Sequence, residues 1–319
     1  MALYLTEDDV RQLFTMADAL RVIETAFKDW DAGQVTNRPR QRVRIGRGHL
    51  QTMAAAYPAR GVMGFKAYAT GRRSGFLVNL YGADTGELLA IVEGGYLGAV
   101  RTGAASGVAT KHMARQDASV VGIIGTGNQA RTQLAAVCAV RPVREVKSFS
   151  RTPETRTAFA RETSANLGLP VRAVESAEEC VRGSDIITTI TNSLEPVFKG
   201  EWLSEGTHIN AAGSNHWMRR EMDEATIKRC AFVVADDVED ARIECGELIW
   251  AVERGAIRWE QVRELREVVS GRRSGRAGES DITLFESQGL AIEDVAVAEH
   301  VYRLARERGV GRELGISHT

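Results

Sequence analysis

One stretch of the chain carries recognisable chemistry: Ala118-Ser-Val-Val-Gly-Ile-Ile-Gly-Thr-Gly-Asn-Gln-Ala130. Val120, Val121, Ile123 and Ile124 form an apolar run too short for a buried helix, which predicts a buried parallel strand. A helical pattern follows at once, with Arg131, Leu134, Ala135, Val137 and Cys138. Between them lies the turn Gly125-Thr126-Gly127. A strand, a glycine turn and a helix start in that order cradle dinucleotide phosphates. Gly125 permits the tight turn, Gly127 lets the backbone approach a pyrophosphate, and the small Ala130 lets helix and strand pack closely. Free N–H groups at the helix start then face the phosphates. The alternative is an ordinary βα turn, and the strand–turn–helix context argues against it.

In such a fold the tip of the second strand reads the adenosine ribose. An acid there selects NAD, and a basic residue accommodates the 2′-phosphate of NADP. The second strand is read as Glu145-Val-Lys-Ser-Phe-Ser150, followed by Arg151-Thr152. No acid stands at the tip. Ser150 and Thr152 offer hydroxyls, and Arg151 offers a planar fork suited to phosphate. Arg156, one turn on, is expected to assist. This favours NADP(H), with NAD(H) as the alternative. Arg101 and Thr102 sit in a segment rich in small residues, read as a helix over 96–114. Placed near its start, they could offer a cation, a hydroxyl and free N–H groups to an anion; the alternative is a surface Arg that merely caps or pairs.

These residues need elements to hold them. The chain has 319 residues, which predicts two domains. Hydrophobic residues make up 44% and charged residues 26%, an ordinary globular balance with ample core. The net charge of −1 gives no global field for nucleic acid or membrane. Cys138, Cys180, Cys230 and Cys245 lie far apart without a C-x-x-C pair, so free thiols in a reducing compartment are expected, with no metal site. No secretory leader or membrane-length apolar run is read, which predicts a cytoplasmic protein.

Along the chain, residues 3–32 read as amphipathic helices, with Thr6-Glu-Asp-Asp9 as a helix start. From Arg38 the period changes to two. Arg40, Arg42 and Arg44 alternate with Gln41, Val43 and Ile45, and short strands follow at 49–53, 64–68, 76–81 and 88–92. The turn Ala83-Asp-Thr-Gly86 joins the last two, so an antiparallel sheet is expected ahead of the glycine motif. From 118 to about 235 strands and helices alternate. The strands are expected at 119–124, 143–150, 171–174, 185–191, 207–211 and 231–235, with helices such as 153–167 between them. A further strand is read at 281–285. This alternation predicts a doubly wound parallel sheet. The loop Arg272-Arg-Ser-Gly-Arg-Ala-Gly278 reads as a solvated connection, and a long helix is expected from Ala291 to Arg308. The charged loop near Arg272 and the segment 72–75 are candidates for shaping a pocket.

In this order the motifs resemble the ornithine cyclodeaminase/mu-crystallin family over nearly the whole chain. The residues that carry the likeness are Arg40 before a strand, Met53, Lys66 and Leu97-Gly-Ala-Val-Arg-Thr-Gly-Ala-Ala105. Gly125-Thr-Gly-Asn-Gln-Ala130, Asp185-Ile-Ile-Thr-Thr-Ile-Thr191, Asn210-Ala-Ala-Gly-Ser-Asn215 and Leu284-Phe-Glu-Ser-Gln-Gly-Leu-Ala-Ile-Glu-Asp294 complete the set. The resemblance implies an α/β homodimer. A Rossmann-type parallel-sheet domain (117–286) would be inserted into an α+β substrate-binding and dimerisation domain (1–116 plus 287–319). It implies that Arg40, Lys66 and Arg101 grip a substrate α-carboxylate, with Arg42 competing with Arg40 for that place, and that Lys66 can supply a proton. Asn128, Gln129, Thr191, Asn210 and Ser287 resemble cofactor contacts, and Thr102 joins them.

Two positions depart from the ornithine-active members. Those enzymes end the Asn-Ala-x-Gly motif with an Asp that engages the amine, where this chain has Asn215. They also carry a Glu shortly before the Met of the second substrate strand, where this chain has Gln51. Both changes remove a negative charge suited to a diamine. The expected activity is therefore reduction of a C=N bond beside a carboxylate, or its reversal as an amino-acid dehydrogenase. The substrate would be a small α-imino, α-amino or 2-oxo acid. The alternatives are a cyclodeaminase lyase using NAD catalytically and a non-catalytic NADPH or small-ligand binder.

Overall fold

A computed structural model of the chain describes residues 2–46, 48–71 and 75–315. Residues 72–74 of the candidate pocket segment lie outside the described residues. In chain order the elements begin with β1 (Ala2–Leu5), α1 (Glu7–Leu13), α2 (Met16–Asp31), β2 (Thr36–Asn37), β3 (Gln41–Ile45), β4 (Gly48–Tyr57), β5 (Val62–Ala69), β6 (Phe76–Gly82), β7 (Leu88–Glu93) and α3 (Gly95–Met113). There follow β8 (Val120–Ile124), α4 (Asn128–Val140), β9 (Glu145–Phe149), α5 (Pro153–Leu167), β10 (Val171–Ala173), α6 (Ala177–Val181), β11 (Ile186–Thr189) and β12 (His208–Ala211). The rest are α7 (Glu224–Arg229), β13 (Phe232–Ala235), α8 (Val238–Glu244), α9 (Gly246–Glu253), β14 (Val262–Glu264), α10 (Leu265–Val269), β15 (Thr283–Glu286), α11 (Ala291–Arg308) and β16 (Arg312–Leu314).

The fold is α/β, and the chain forms two compact units. One comprises Met1–Arg101 with Leu290–Thr319, and the other comprises Thr102–Gly289, inserted between those two segments of sequence. The divisions fall inside α3 and just before α11.

The first unit is built on a mixed sheet in the order β16-β1-β7-β6-β5-β4-β2, with β3 also paired to β4. β3 to β7 pair antiparallel with one another, as the period-two pattern and the 83–86 turn predict, while β1 runs parallel to β7. The helix expected from residue 3 is corrected by β1. Thr6 explains the correction: its hydroxyl accepts the Asp9 N–H, and the Asp9 carboxylate accepts the Thr6 N–H. This reciprocal cap starts α1 at Glu7 and leaves Ala2–Leu5 extended to join the sheet. One sheet face is covered by α11, which packs on β4, β5 and β6. Gly64 serves that packing, because a Cβ there would strike the Asn79 carbonyl and meet Val295 of α11. On the other face Val43, Leu50, Met63 and Leu77 are exposed.

The second unit holds a sheet in the order β10-β9-β8-β11-β12-β15-β13-β14, every neighbouring pair parallel. From β8 the chain steps outward to β9 and β10, then returns to the other side of β8 with β11. That reversal makes the carboxyl ends of β8 and β11 the topological switch point, where ligands bind in such folds. The loop after α10 is not simply solvated. Arg276 donates to the carbonyls of Met113 (2.7 Å), Asp281 (2.7 Å) and Gly206 (3.0 Å), tying three segments of the unit together. All four thiols are free; Cys180 and Cys245 are buried, while Cys138 and Cys230 are partly so. No described helix is long and apolar enough to cross a membrane.

Candidate active site

In the first unit the pleat puts Lys66 of β5 on the α11-covered face, opposite Met53 of β4. The start of α11 brings two acids over it. Lys66 Nζ lies 2.5 Å from Asp294 Oδ2, Arg101 Nε donates to Asp294 Oδ1 at 3.0 Å, and Arg101 Nη1 pairs with Glu293. Lys66, Arg101, Glu293 and Asp294 are at most 5% exposed. Charges this deep persist only when paired. The first turn of a helix also suits the two acids.

Burial, joined by the positive charges of Arg101 and Arg40, pushes Lys66 down to about 7 although Asp294 opposes the shift. Burial works against the Arg101 charge too, but Asp294 and Glu293 outweigh it and raise the guanidinium above its ordinary value. Glu293 is raised by burial. The two candidate arginines differ in their surroundings. Arg40 is buried and acts on Lys66, whereas Arg42 is half-buried and faces Gln51 across the strands. The expectation that Arg101 stands at a helix start with free N–H groups is corrected. α3 begins at Gly95, and the N–H groups of Gly95 and Tyr96 donate to the Glu7 carboxylate at 2.6 and 2.7 Å. Arg101 therefore acts through its own guanidinium, from well inside the helix.

In the second unit the glycine turn has the expected shape. Gly125 takes φ +107°, a conformation L side chains rarely adopt, and a Cβ there would overlap the Ile190 carbonyl. Gly127 is the extended N-cap of α4 and, lacking a side chain, leaves the first N–H groups of α4 without a cap bond of its own. Asn128 and Gln129 open that helix, and Gln129 Oε1 is buried without a hydrogen-bond partner. Thr126 Oγ1 donates to Ser150 Oγ at 2.9 Å, linking the turn to the tip of β9. The residues present fit a dinucleotide phosphate group.

The loops carrying Thr191, Asn215 and Ser287 follow β11, β12 and β15 at the same carboxyl edge. Two of the expected cofactor contacts are otherwise engaged. Asn210 points into the unit, donating to Thr110 Oγ1 at 2.9 Å and meeting His208 Nε2 at 3.2 Å. Ser287 donates to Asp236 at 3.4 Å. Thr102 is buried in α3, and its carbonyl accepts from Gln133 at 3.4 Å. At the β9 tip Arg151 is exposed, while Arg156 is buried and donates to the Ser150 carbonyl at 3.2 Å. Arg156 thus supports the turn rather than reaching out from it.

The sequence matches the ornithine cyclodeaminase/mu-crystallin family over residues 2–309. The chain belongs to that family. It is 42% identical over 239 residues to a Δ1-pyrroline-2-carboxylate reductase of Bacillus cereus, covering 75% of this chain and 73% of the relative. Its fold superposes on Thermococcus litoralis Δ1-pyrroline-2-carboxylate reductase, solved with NADH and L-proline. The TM-score is 0.94 at 36% identity, covering 98% of this chain and all (100%) of that one. It also superposes on a dimer of an archaeal alanine dehydrogenase with bound NAD, with a TM-score of 0.93 at 35% identity and 99% of each chain covered.

Within this family member the sequence reading missed the acids. Glu293 and Asp294 lay in a quoted motif, yet nothing assigned them a partner. Their signal is two adjacent acids inside Leu-Ala-Ile-Glu-Asp-Val-Ala-Val, where an apolar helix start leaves them no solvent. Tyr68 was also missed. It faces Gln51 across the strands, its hydroxyl donates to Gln51 Oε1 at 2.8 Å, and burial raises its pKa so that it remains a donor.

Proposed function

We propose that this protein is an NAD(P)H-dependent oxidoreductase acting on the C=N or CH–NH bond of a small α-imino or α-amino acid. The observation that carries the reading is Lys66, buried between the Asp294 carboxylate and two guanidiniums and poised near 7. A bound nicotinamide dinucleotide supplies or accepts the hydride. The chain's own part is to hold the carboxylate with Arg40 and the remaining donors of Arg101, and to pass a proton between Lys66 Nζ and the substrate nitrogen. Reduction needs the ammonium form, so its rate should fall as pH rises through about 7; amine oxidation needs the free amine and should rise over the same range.

We assign the β9 tip to the 2′-phosphate of NADPH, because Arg151 is exposed there beside the Ser150 and Thr152 positions and no acid replaces it. We assign the exposed apolar face of the first unit's sheet to a homodimer contact, as Val43, Leu50, Met63 and Leu77 otherwise face water. Gln51 of the first unit and Asn215 of the second stand where acids are expected for a diamine, which argues against ornithine as substrate.

The deciding experiment follows NADPH and NADH oxidation with cyclic α-imino acids and with 2-oxo acid/amine pairs, alongside ammonia release from ornithine with NAD. Imine-dependent NADPH consumption is expected. Ornithine turnover without any imine reduction would replace the reading with a cyclodeaminase.

A further inference from the structure

The turn at the end of β9 is held from beneath by Arg156. Arg156 lies in the first turn of α5 and is only 6% exposed. Its Nη1 donates to the Ser150 carbonyl at 3.2 Å, its Nη2 pairs with Glu175, and its guanidinium sits 5.7 Å from the centre of the Phe149 ring. Glu175 follows β10, the parallel neighbour of β9, and its side chain is 85% exposed. Above the guanidinium the turn is stitched by hydroxyls. Ser150 Oγ meets Thr126 Oγ1 at 2.9 Å and Thr155 Oγ1 at 3.3 Å, and Thr155 donates to the Thr152 carbonyl at 2.9 Å.

We infer that Arg156 is a positioning residue for cofactor choice: it fixes the Ser150–Thr152 turn through the Ser150 carbonyl and neutralises Glu175. This rests on the assignment of that turn to a 2′-phosphate. With both terminal nitrogens engaged and its side chain buried, Arg156 does not itself grip the phosphate. Its removal acts twice. The turn that presents Ser150 and Arg151 loses its support, and Glu175 becomes an uncompensated carboxylate beyond the neighbouring strand. A bare acid in that region repels a phosphate dianion, while a ribose 2′-OH can donate to one. The effect should therefore fall on NADPH and spare NADH.

The test measures dissociation constants of NADPH and NADH for the purified full chain by calorimetry, with thermal unfolding as a folding check. Arg156→Met should weaken NADPH by about tenfold or more and NADH by less than about twofold. Adding Glu175→Gln to Arg156→Met should restore NADPH to within about threefold of wild type, because the repelling charge is gone. Arg156→Lys keeps the charge but cannot bridge both partners, so it should cost NADPH about threefold and leave NADH unchanged; this variant decides the matter if Arg156→Met does not fold. Equal weakening of both cofactors, or an unaltered NADPH affinity, overturns the inference. Arg151→Ala separates the two levels. If it leaves NADPH binding intact, the 2′-phosphate assignment falls and this inference with it. If it costs NADPH alone while Arg156→Met changes nothing, only the role of Arg156 falls.

Discussion

Each unit buries a cluster of ionisable groups, and the two are built on opposite plans. In the first unit Lys66 and Arg101 face Asp294 and Glu293, cation against anion. In the second, acids face acids. The ligand atoms of Cys245, Glu247 and Glu286 lie within 4.8 Å of one another. Glu221 beside them accepts from the Thr191 N–H (2.5 Å), the Gly213 N–H (2.9 Å) and the Thr189 hydroxyl (3.0 Å), while its own N–H donates to Glu247 (2.6 Å). Burial and the Glu247 charge push Glu221 up to about 7, and burial with the Glu247 charge lifts Glu286 well above the carboxylate range. The paired cluster stays charged in the dark and yields a lysine that titrates where chemistry is done. In the acid cluster burial favours the protonated forms, and the hydrogen bonds of Glu221 pin the loops after β11 and β12. The one is suited to reacting and the other to holding a loop edge still.

The contrast predicts opposite outcomes for removing a charge. Lys66→Met should lower kcat for imine reduction by about 10²–10⁴-fold, the usual share of a positioned acid. Stability should not suffer. The folded pKa of about 7 lies below the ordinary 10.5, so between those values the unfolded chain binds a proton the folded one refuses. This group therefore costs the wild type stability as pH falls from 10.5 toward 7, and the Met variant escapes that cost. Steady-state kinetics with thermal unfolding at pH 7 and 9.5 checks both halves. A variant that unfolds well below wild type at pH 7 would show that the ammonium is structural.

Asp294→Asn should act the other way, destabilising by about 3–5 kcal/mol, because two buried cations lose a shared partner. It should also move the pH limit of reduction to lower pH, since the Asp294 charge is what holds the Lys66 pKa up. Denaturant unfolding and a pH–rate profile read the two effects separately. An unchanged profile would detach Asp294 from Lys66.

The paired cluster was the harder of the two regions to read from sequence. The glycine turn, α4 and the parallel strands announce themselves locally, since φ > 0 at Gly125 and short apolar runs leave marks within a few residues. α5 and α11 lie where their periodicity and caps place them. The cations could be named one by one, but Arg101 meets Glu293 and Asp294 across nearly two hundred positions (|i−j| of 192 and 193), and no local pattern encodes that. β1, β14 and β16 escaped for the same reason: short strands owe their existence to neighbours in the sheet. Arg276 reads as part of a solvated loop and Arg156 as an aid to a phosphate, because charge suggests solvent, yet each turns inward to backbone carbonyls.

Adding an acid sharpens the comparison from the substrate's side. Gln51 is buried and accepts from the Tyr68 hydroxyl, so Gln51→Glu keeps the hydrogen bond and adds a charge. Asn215, on the loop after β12, is half-buried and offers shape without charge. The double change Gln51→Glu with Asn215→Asp should shift preference from α-imino acids toward diamino acids by about 1–2 kcal/mol, the scale of partly solvated charge pairs. Proline and ammonia formation from ornithine with catalytic NAD is the assay. Strong wild-type turnover there would mean these two positions do not exclude a diamine.

The smallest effect belongs to the acid cluster. If Glu286 is neutral in the folded protein, Glu286→Gln replaces one uncharged group with another of the same shape. Below the ordinary 4.5 both folded and unfolded chains hold the proton and the group is silent. As pH rises past 4.5 the unfolded chain releases a proton that the folded chain keeps, so stability drains away with rising pH. Gln cannot titrate and loses that slope. Chemical denaturation at pH 5.5 and 8 should find the variant gaining stability relative to wild type from the lower pH to the higher. Glu221, raised to about 7, keeps its own part of the slope in both proteins and so drops out of the difference. Destabilisation by more than about 2 kcal/mol at pH 8 would mean that Glu286 is ionised and paired, and the two clusters would then be variants of one plan.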